Sequence, residues 1–335
     1  MEITLFDEKY TGRAAELLAE QFSRWLKAFP LLPVRIADRD VARGFLVDLF
    51  AKKEIHGVVM LEGDQMNGFL LGAYGDNPFF GRHVMVPFGG IGLKPGVAAD
   101  NLMKLYAAAG QQWVADDVLN HYLVMPALPD WLETGFSQSF GKEQAYAIAS
   151  VVEKPTGAEL PEGIVMREVI PADADGLYQC ADWIAGHYNL APVWEPVPAE
   201  HLKNIRQGYA ELAAEAESTT WLALDGERIV SFVVIYPEEL TSANLLGDHE
   251  AAHFSVAATH PNYRGRGIGQ ALFTHAMKMA YQQGVRVMTT DWRTTNPAAA
   301  DYWPRFGFVP YAYRLLRRVN PRYQVYSAQI LNHQV

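Results

Sequence analysis

The chain has 335 residues, half of them hydrophobic, and a net charge of −10 from 38 acidic and 28 basic side chains. That length suits two domains, and the acidic balance argues against a general nucleic-acid binder, which needs a basic face. No apolar run approaches the roughly eighteen residues of a membrane span, and the single cysteine, Cys180, rules out intramolecular disulfides and a Cys-based zinc site.

A lone cysteine suits a reducing cytoplasm. The opening residues, Met1 to Asp7, do not read as a signal peptide. The acidic balance also suits a cationic, amine-bearing substrate by long-range steering, or it serves solubility alone.

In chain order, Ile3 to Phe6 reads as a strand and Ala14 to Leu26 as a helix. Val58 to Leu61, a turn at Glu62-Gly63-Asp64, and Phe69 to Leu71 read as a hairpin. Gly89-Gly90-Ile91-Gly92 precedes Pro95 and reads as a bulged strand or a close backbone contact. A helix and a strand follow, then a short helix holding Trp131 to Phe136. Lys154 to Pro161 has linker composition.

The order then repeats. Val165 to Glu168 is a strand and Asp173 to Ala185 a helix. Trp183, His187, Tyr188, Trp194 and Glu195 cluster around a proline-rich segment at 192, 196 and 198. Trp221 to Leu224, Asp225-Gly226 and Ile229 to Ile235 form a second hairpin, Asp-Gly being a strong turn signal. His253 to Thr259 reads as a strand and Ile268 to Gln283 as a helix. Val285 to Thr290 is the next strand, and Trp303 to Phe308 echoes Trp131 to Phe136. Gly63 and Gly226, Pro95 and Pro261, and Gly135 and Gly307 keep nearly constant offsets, so the chain reads as a tandem of two related domains, residues 1–154 and 162–335.

Between the strand ending at Thr259 and the helix lies Arg264-Gly265-Arg266-Gly267-Ile268-Gly269. A glycine-rich turn at a helix start leaves backbone N–H groups pointing outward, a seat for pyrophosphate, and two arginines add charge. A dinucleotide fingerprint would need glycine where Gln270 stands, and no Lys-Ser or Lys-Thr follows to make a nucleotide P-loop. An ordinary glycine-rich turn is the plainer reading. Further on, Asn296 suits a helix cap, Pro297 its first turn and Gly307 its end.

The pattern R-x-x-G-x-G at Arg264, Gly267 and Gly269, with Asn296, Ala299 and Gly307-Phe308 after it, resembles the GNAT superfamily of acyl-CoA-dependent N-acyltransferases, in the tandem two-domain form found in mycothiol synthase. The resemblance implies an α/β fold with two GNAT-like domains, each a mostly antiparallel mixed sheet flanked by helices. It implies that acetyl-CoA is held by the backbone of Ala258, Thr259 and residues 264 to 269 (Arg264, Gly265, Arg266, Gly267, Ile268, Gly269), with Asn296 and Trp303 beside it. The implied reaction is direct transfer of an acetyl group to a primary amine of a small molecule or peptide. In relatives a catalytic glutamate stands on the strand that here carries His253. His253 is therefore the candidate base, and a histidine hydrogen-bonded within the sheet is an equal reading; Glu250 is the runner-up. Where relatives often place an acidic tyrosine this chain has Trp303, which leaves adjacent Tyr302, or Tyr311 and Tyr313, as alternatives and leaves acid catalysis in doubt. The aromatic and acidic cluster at 183–195 falls where the family lines its acceptor site; taken residue by residue, an ordinary aromatic minicore is the favoured reading. The first half has Gly96 to Leu102 in place of the arginine-glycine turn, and Asp100 at the helix start would repel pyrophosphate, so this half is expected to be a degenerate domain. Two other functions remain open: a non-catalytic acyl-CoA-binding sensor or assembly module, and an aminoacyl transferase using aminoacyl-tRNA. Negative charge and the intact loop count against the latter. A homodimer is left open.

Overall fold

The computed structural model describes residues 1–51, 55–155, 157–242 and 244–323. Thr156, inside the expected linker, lies outside them. The chain divides into two units that are not continuous in sequence. The first holds Met1–Ala145, Thr241–Leu246 and the chain from Tyr311 on; the second holds Tyr146–Leu240 and Gly247–Pro310.

In the first unit β1 (Glu2–Leu5) is followed by helices α1 (Thr11–Ala28) and α2 (Arg39–Phe50). Then come β2 (Ile55–Glu62), β3 (Gln65–Asn77), β4 (Gly81–Val86) and β5 (Ile91–Leu93). Helix α3 (Asn101–Ala115), β6 (Asn120–Pro126), α4 (Pro129–Phe136) and the start of β7 (Gly141–Ser150) complete the run. The expected first hairpin is β2–β3, paired antiparallel from Ile55↔Ala73 to Glu62↔Gln65. The chain between β4 and β5 breaks at the glycine-rich segment, where Gly90 N–H donates to Pro87 O and Gly90 O accepts from Leu71 N–H (both 2.8 Å). β4 runs parallel to β6, from His83↔Asn120 to Val86↔Leu123, whereas β5 pairs only with β3.

The last strand among the described residues, β13 (Val309–Arg318), pairs antiparallel with β6 from Ala312↔Pro126 to Arg318↔Asn120. The last described strand thus belongs mostly to the sheet of the first unit.

The second unit holds β8 (Ile164–Glu168), α5 (Ala174–Tyr188), α6 (Ala199–Glu211), β9 (Thr219–Asp225), β10 (Arg228–Pro237) and β11 (Ala251–Thr259). After these come α7 (Ile268–Gln282), β12 (Val287–Arg293) and the short α8 (Pro297–Tyr302). Strand order is β8-β9-β10-β11-β12, with β11 and β12 parallel and the other pairs antiparallel. The mixed α/β architecture with flanking helices is the one the sequence implied. β10 is apolar on both faces because helices cover both. Phe232 and Val234 pack with Leu177 and Cys180 of α5 and with Leu212. On the opposite face Phe254 of β11 meets Phe273 of α7, ring centroids 4.7 Å apart.

Candidate acyl-donor and catalytic site

The parallel register of β11 and β12 runs from Ala251↔Val287 to Phe254↔Thr290 and stops there, although β11 continues to Thr259. The antiparallel register with β10 steps from Val234↔Val256 to Ile235↔Phe254, so Ser255 is the extra residue of a β-bulge. The bulge shifts the alternation of side chains. Val256 and Ala258 then face the α5 side, where they pack against its core. His253 stands across from Tyr236, another residue of that face. Residues 255–259 are left with an edge that no described strand pairs.

The chain leaves this edge through Pro261 and enters the arginine-glycine turn. Gly265 and Gly267 have φ of 75° and 80°, a left-handed backbone that a side chain would strain. A Cβ on Gly269 would come within 2.8 Å of Thr259 Oγ1. Buried Ile268 fixes the start of α7 in the core. Arg264 N–H donates to Pro261 O at 3.3 Å, and Ala271 N–H is the first amide to enter the helix ladder, at Gly267 O (2.9 Å). Among the described residues, none accepts a hydrogen bond from the amides of 265–270. These donors converge at the positive end of a fifteen-residue helix. The cradle fits a pyrophosphate, and the open edge of β11 fits the amide-bearing arm that a CoA thioester carries.

Three basic side chains surround the turn. Arg264 Nε donates to Thr259 O (3.1 Å), and the Arg266 guanidinium lies 5.2 Å from the ring centre of Tyr263. Arg228 donates to His260 Nε2 (2.8 Å). Burial, then the charges of Arg228 and Arg264, lower the His260 pKa. Arg228, His260 and Tyr263 were not singled out in the sequence. Arg228 is brought in only by the hairpin register, whereas His260 and Tyr263 flank the motif directly.

His253 Nδ1 lies 2.8 Å from Thr289 Oγ1, and Nε2 lies 3.6 Å from Asp291 Oδ1. Thr289 Oγ1 donates to Glu238 Oε1 (2.7 Å). His253 and Asp291 are each about one-third exposed, so the ring reaches solvent. Thr289 and Asp291 escaped sequence reading, although two polar residues two apart on a strand share one face. Glu238 lies just past β10, where no pattern marks it.

The other expected residues are placed as follows. Glu250 is exposed in the turn before β11, and its carbonyl accepts from Arg286 and Val287 N–H (2.7 and 3.1 Å). Asn296 caps α8, Oδ1 accepting from Ala299 N–H (3.3 Å). Tyr302 donates its hydroxyl to Gly269 O (3.0 Å), and burial raises its pKa. Trp303 is buried among Phe254, Phe273 and Phe308, with ring centroids 5.4–5.7 Å away. Trp183 packs edge-on to His260 at 5.2 Å. Tyr188 is half-buried near Asp291, and its pKa is raised by desolvation and then by that negative charge. Trp194 is 68% exposed with φ 46°. Tyr188 is thus joined to the His253 group and Trp183 to the basic turn, whereas Trp194 stands largely in solvent.

The equivalent helix start of the first unit is built differently. Val97, Asn101, Leu102 and Met103 N–H donate to Lys94, Ala98, Ala99 and Asp100 carbonyls at 2.9–3.0 Å. Asp100 stands at the N-terminus of α3, adding negative charge. Met85 occupies the register place of His253, the third residue of the parallel pairing.

Residues 180–308 match the sequence profile of the Acetyltransferase (GNAT) family. No curated protein matches the sequence. Among solved structures, a GCN5-related N-acetyltransferase from Sphaerobacter thermophilus is 16% identical, with 96% of each chain covered and a TM-score of 0.61. A tandem GNAT protein from the clavulanic acid biosynthesis pathway is 14% identical, covering 96% of this chain and 99% of that one, with a TM-score of 0.54. A glucosamine N-acetyltransferase region of a fungal multi-domain GH3 β-N-acetylglucosaminidase is 14% identical over 94% of this chain and 38% of that one, with a TM-score of 0.59. At such identities these likenesses speak for the fold, and the profile match speaks for the chemistry of acyl transfer from acyl-CoA. Residues 180–308 are thus similar to the Acetyltransferase (GNAT) family, and the chain's fold is similar to that of tandem GNAT proteins.

Proposed function

We propose that this protein is an N-acetyltransferase that moves the acetyl group of acetyl-CoA onto a primary amine of a small molecule or peptide. The observation that carries the reading is the row of unclaimed amides at 265–270, beside the unpaired edge of β11 and on the same strand as His253. Acetyl-CoA supplies an activated thioester. The amides of Gly265 to Gly269, with Arg264 and Arg266, hold its diphosphate. The backbone at Ala258 and Thr259 aligns its arm, and Asn296 borders the gap. Trp303 supports that wall from the core.

An alkyl amine is mostly protonated at neutral pH and must lose a proton before its nitrogen can attack. His253 is the base: its Nε2 faces outward and takes that proton. The new C–N bond forms as the C–S bond breaks; the thiolate leaves with that bond's electron pair and takes up the second proton shed by the nitrogen, giving free CoA thiol. Glu250, exposed and off the β11–β12 pairing, is the alternative base. The first unit, whose helix-start amides are occupied, gives structural support and takes no acyl donor. An acyl-CoA sensor is the second reading, favoured by the buried indole of Trp303 where an acid would stand.

The test is calorimetric binding of acetyl-CoA, followed by thiol release across a panel of primary amines. Binding with turnover that falls about 10²-fold or more in His253→Gln, at unchanged acetyl-CoA affinity, is the expected result. Binding without turnover on any amine would favour the sensor, and no binding would overturn both.

A further inference from the structure

The hydrogen bonds around His253 run in one direction. Thr289 has a single hydroxyl proton, and it goes to Glu238 Oε1 at 2.7 Å. A carboxylate only accepts. The Thr289 oxygen, with its proton committed, can meet His253 Nδ1 at 2.8 Å only as an acceptor. The ring must then carry its proton on Nδ1, leaving the Nε2 lone pair unprotonated, 3.6 Å from Asp291 Oδ1 on a ring one-third exposed.

Resting on the acetyltransferase reading, we propose that Thr289 and Glu238 are positioning residues that fix His253 in the Nδ1–H tautomer, and that Asp291 holds the imidazolium formed when Nε2 takes the amine proton. Only Nε2 changes protonation during the step; Nδ1–H stays donated to Thr289 throughout. The geometry comes from the parallel register, which sets His253 directly beside Thr289 and places Asp291 two residues on, on the same face. The titratable groups gathered around the ring are Glu238 and Asp291, with Tyr188 half-buried near Asp291 and Tyr236 across the ladder. The hydroxyl of Tyr236 is committed to Glu215 Oε2 (2.7 Å) and does not compete for His253. An imidazole locked in the wrong tautomer would present a donor to the amine and could not act as its base.

The experiment is nitrogen NMR of the His253 ring in protein without acyl donor, at a pH where the ring is neutral. Wild type is expected to show Nδ1 protonated and Nε2 bare. Thr289→Val, nearly equal in shape, is expected to lose that preference, and Thr289→Ser to keep it. In steady-state turnover Thr289→Val should lower kcat about tenfold and shift the pH–rate profile, with KM for acetyl-CoA unchanged; Thr289→Ser should restore both. A wild-type ring protonated on Nε2 overturns the proposal, as does a Thr289→Val enzyme with unchanged kcat and pH profile. Failure of acetyl-CoA to bind would instead remove the acetyltransferase reading, while the tautomer is still decided by the unliganded spectrum. Thermal stabilisation of Thr289→Val by acetyl-CoA reports that the variant is folded.

Discussion

Gln21 completes the backbone of β5: its Nε2 donates to Ile91 O (2.9 Å) and its Oε1 accepts from Leu93 N–H (2.8 Å). The side chain comes from α1 and is fully buried. Arg24, one turn on, donates to Leu93 O (3.2 Å). A strand edge that in the second unit lies open is here closed by the protein's own helix. One acetyl-CoA per chain is therefore expected by calorimetry. Gln21→Ala should leave that stoichiometry and affinity unchanged but cost stability, on the order of 2 kcal/mol, because a buried carbonyl and amide lose their partners. Two acetyl-CoA molecules per chain in wild type would refute the assignment of the first unit.

Gly267 stands at φ 80°, with Ala158 Cβ 3.3 Å from where its own Cβ would lie. Gly267→Asp adds a branched, negative side chain to the start of α7. Strain at a left-handed position costs about 1 kcal/mol, which the fold tolerates. Binding of acetyl-CoA should fall much further, by at least about 100-fold, because charge repulsion and loss of the amide cradle combine. Calorimetric titration beside a denaturant melt separates the two effects.

The hydroxyl of Tyr302 ties α8 to Gly269 O, within the first turn of α7. Tyr302→Phe removes one neutral hydrogen bond, worth about 1 kcal/mol. The expected result is a KM for acetyl-CoA raised a few-fold with kcat within about twofold of wild type. A large fall in kcat at constant KM would instead assign the hydroxyl to protonation of the leaving thiolate.

His121 sets an acid limit on stability. It is fully buried on β6; Nε2 meets Val118 O and Nδ1 meets the Tyr106 hydroxyl, both at 2.8 Å. The Nε2–H therefore donates to the carbonyl, and Nδ1 accepts. Burial is the main cause that lowers its pKa from 6.5 to about 4. The unfolded chain thus takes up this proton at a higher pH than the native one. Its contribution is fully present above pH 6.5, declines between 6.5 and about 4, and levels off below. The loss across that window is about 3 kcal/mol. His121→Gln should be less stable than wild type at neutral pH but show a flatter fall between pH 6.5 and 4, as read by urea unfolding.

Much of the second unit was legible from local chemistry. Gly226 (φ 60°) makes the Asp-Gly turn, Asn296 caps its helix, and the glycines at 265 and 267 take the backbone that only glycine adopts without strain. What the chain did not reveal depends on contacts between distant segments. The His253 group draws on Glu238, Thr289 and Asp291, which only the sheet register joins. The closure of β5 by Gln21 spans some seventy residues, and nothing in the run Glu20-Gln21-Phe22 distinguishes it from an ordinary polar position on a helix. The helix α6, which lacks buried residues, and the strand β4, hidden among glycine and proline, gave no periodic signal strong enough to read.

The placement of β13 has a consequence for biosynthesis. When a ribosome has released residues 1–145, strands β1 to β6 of the first unit are complete, and β6 waits for Ala312–Arg318 as its neighbour. Until Ala312–Arg318 is made, that strand presents bare backbone amides and carbonyls to solvent, a template for pairing with other nascent copies. A product cut short before Ala312 would keep that open edge permanently, so truncation between residues 145 and 312 exposes a pairing surface that the full fold covers.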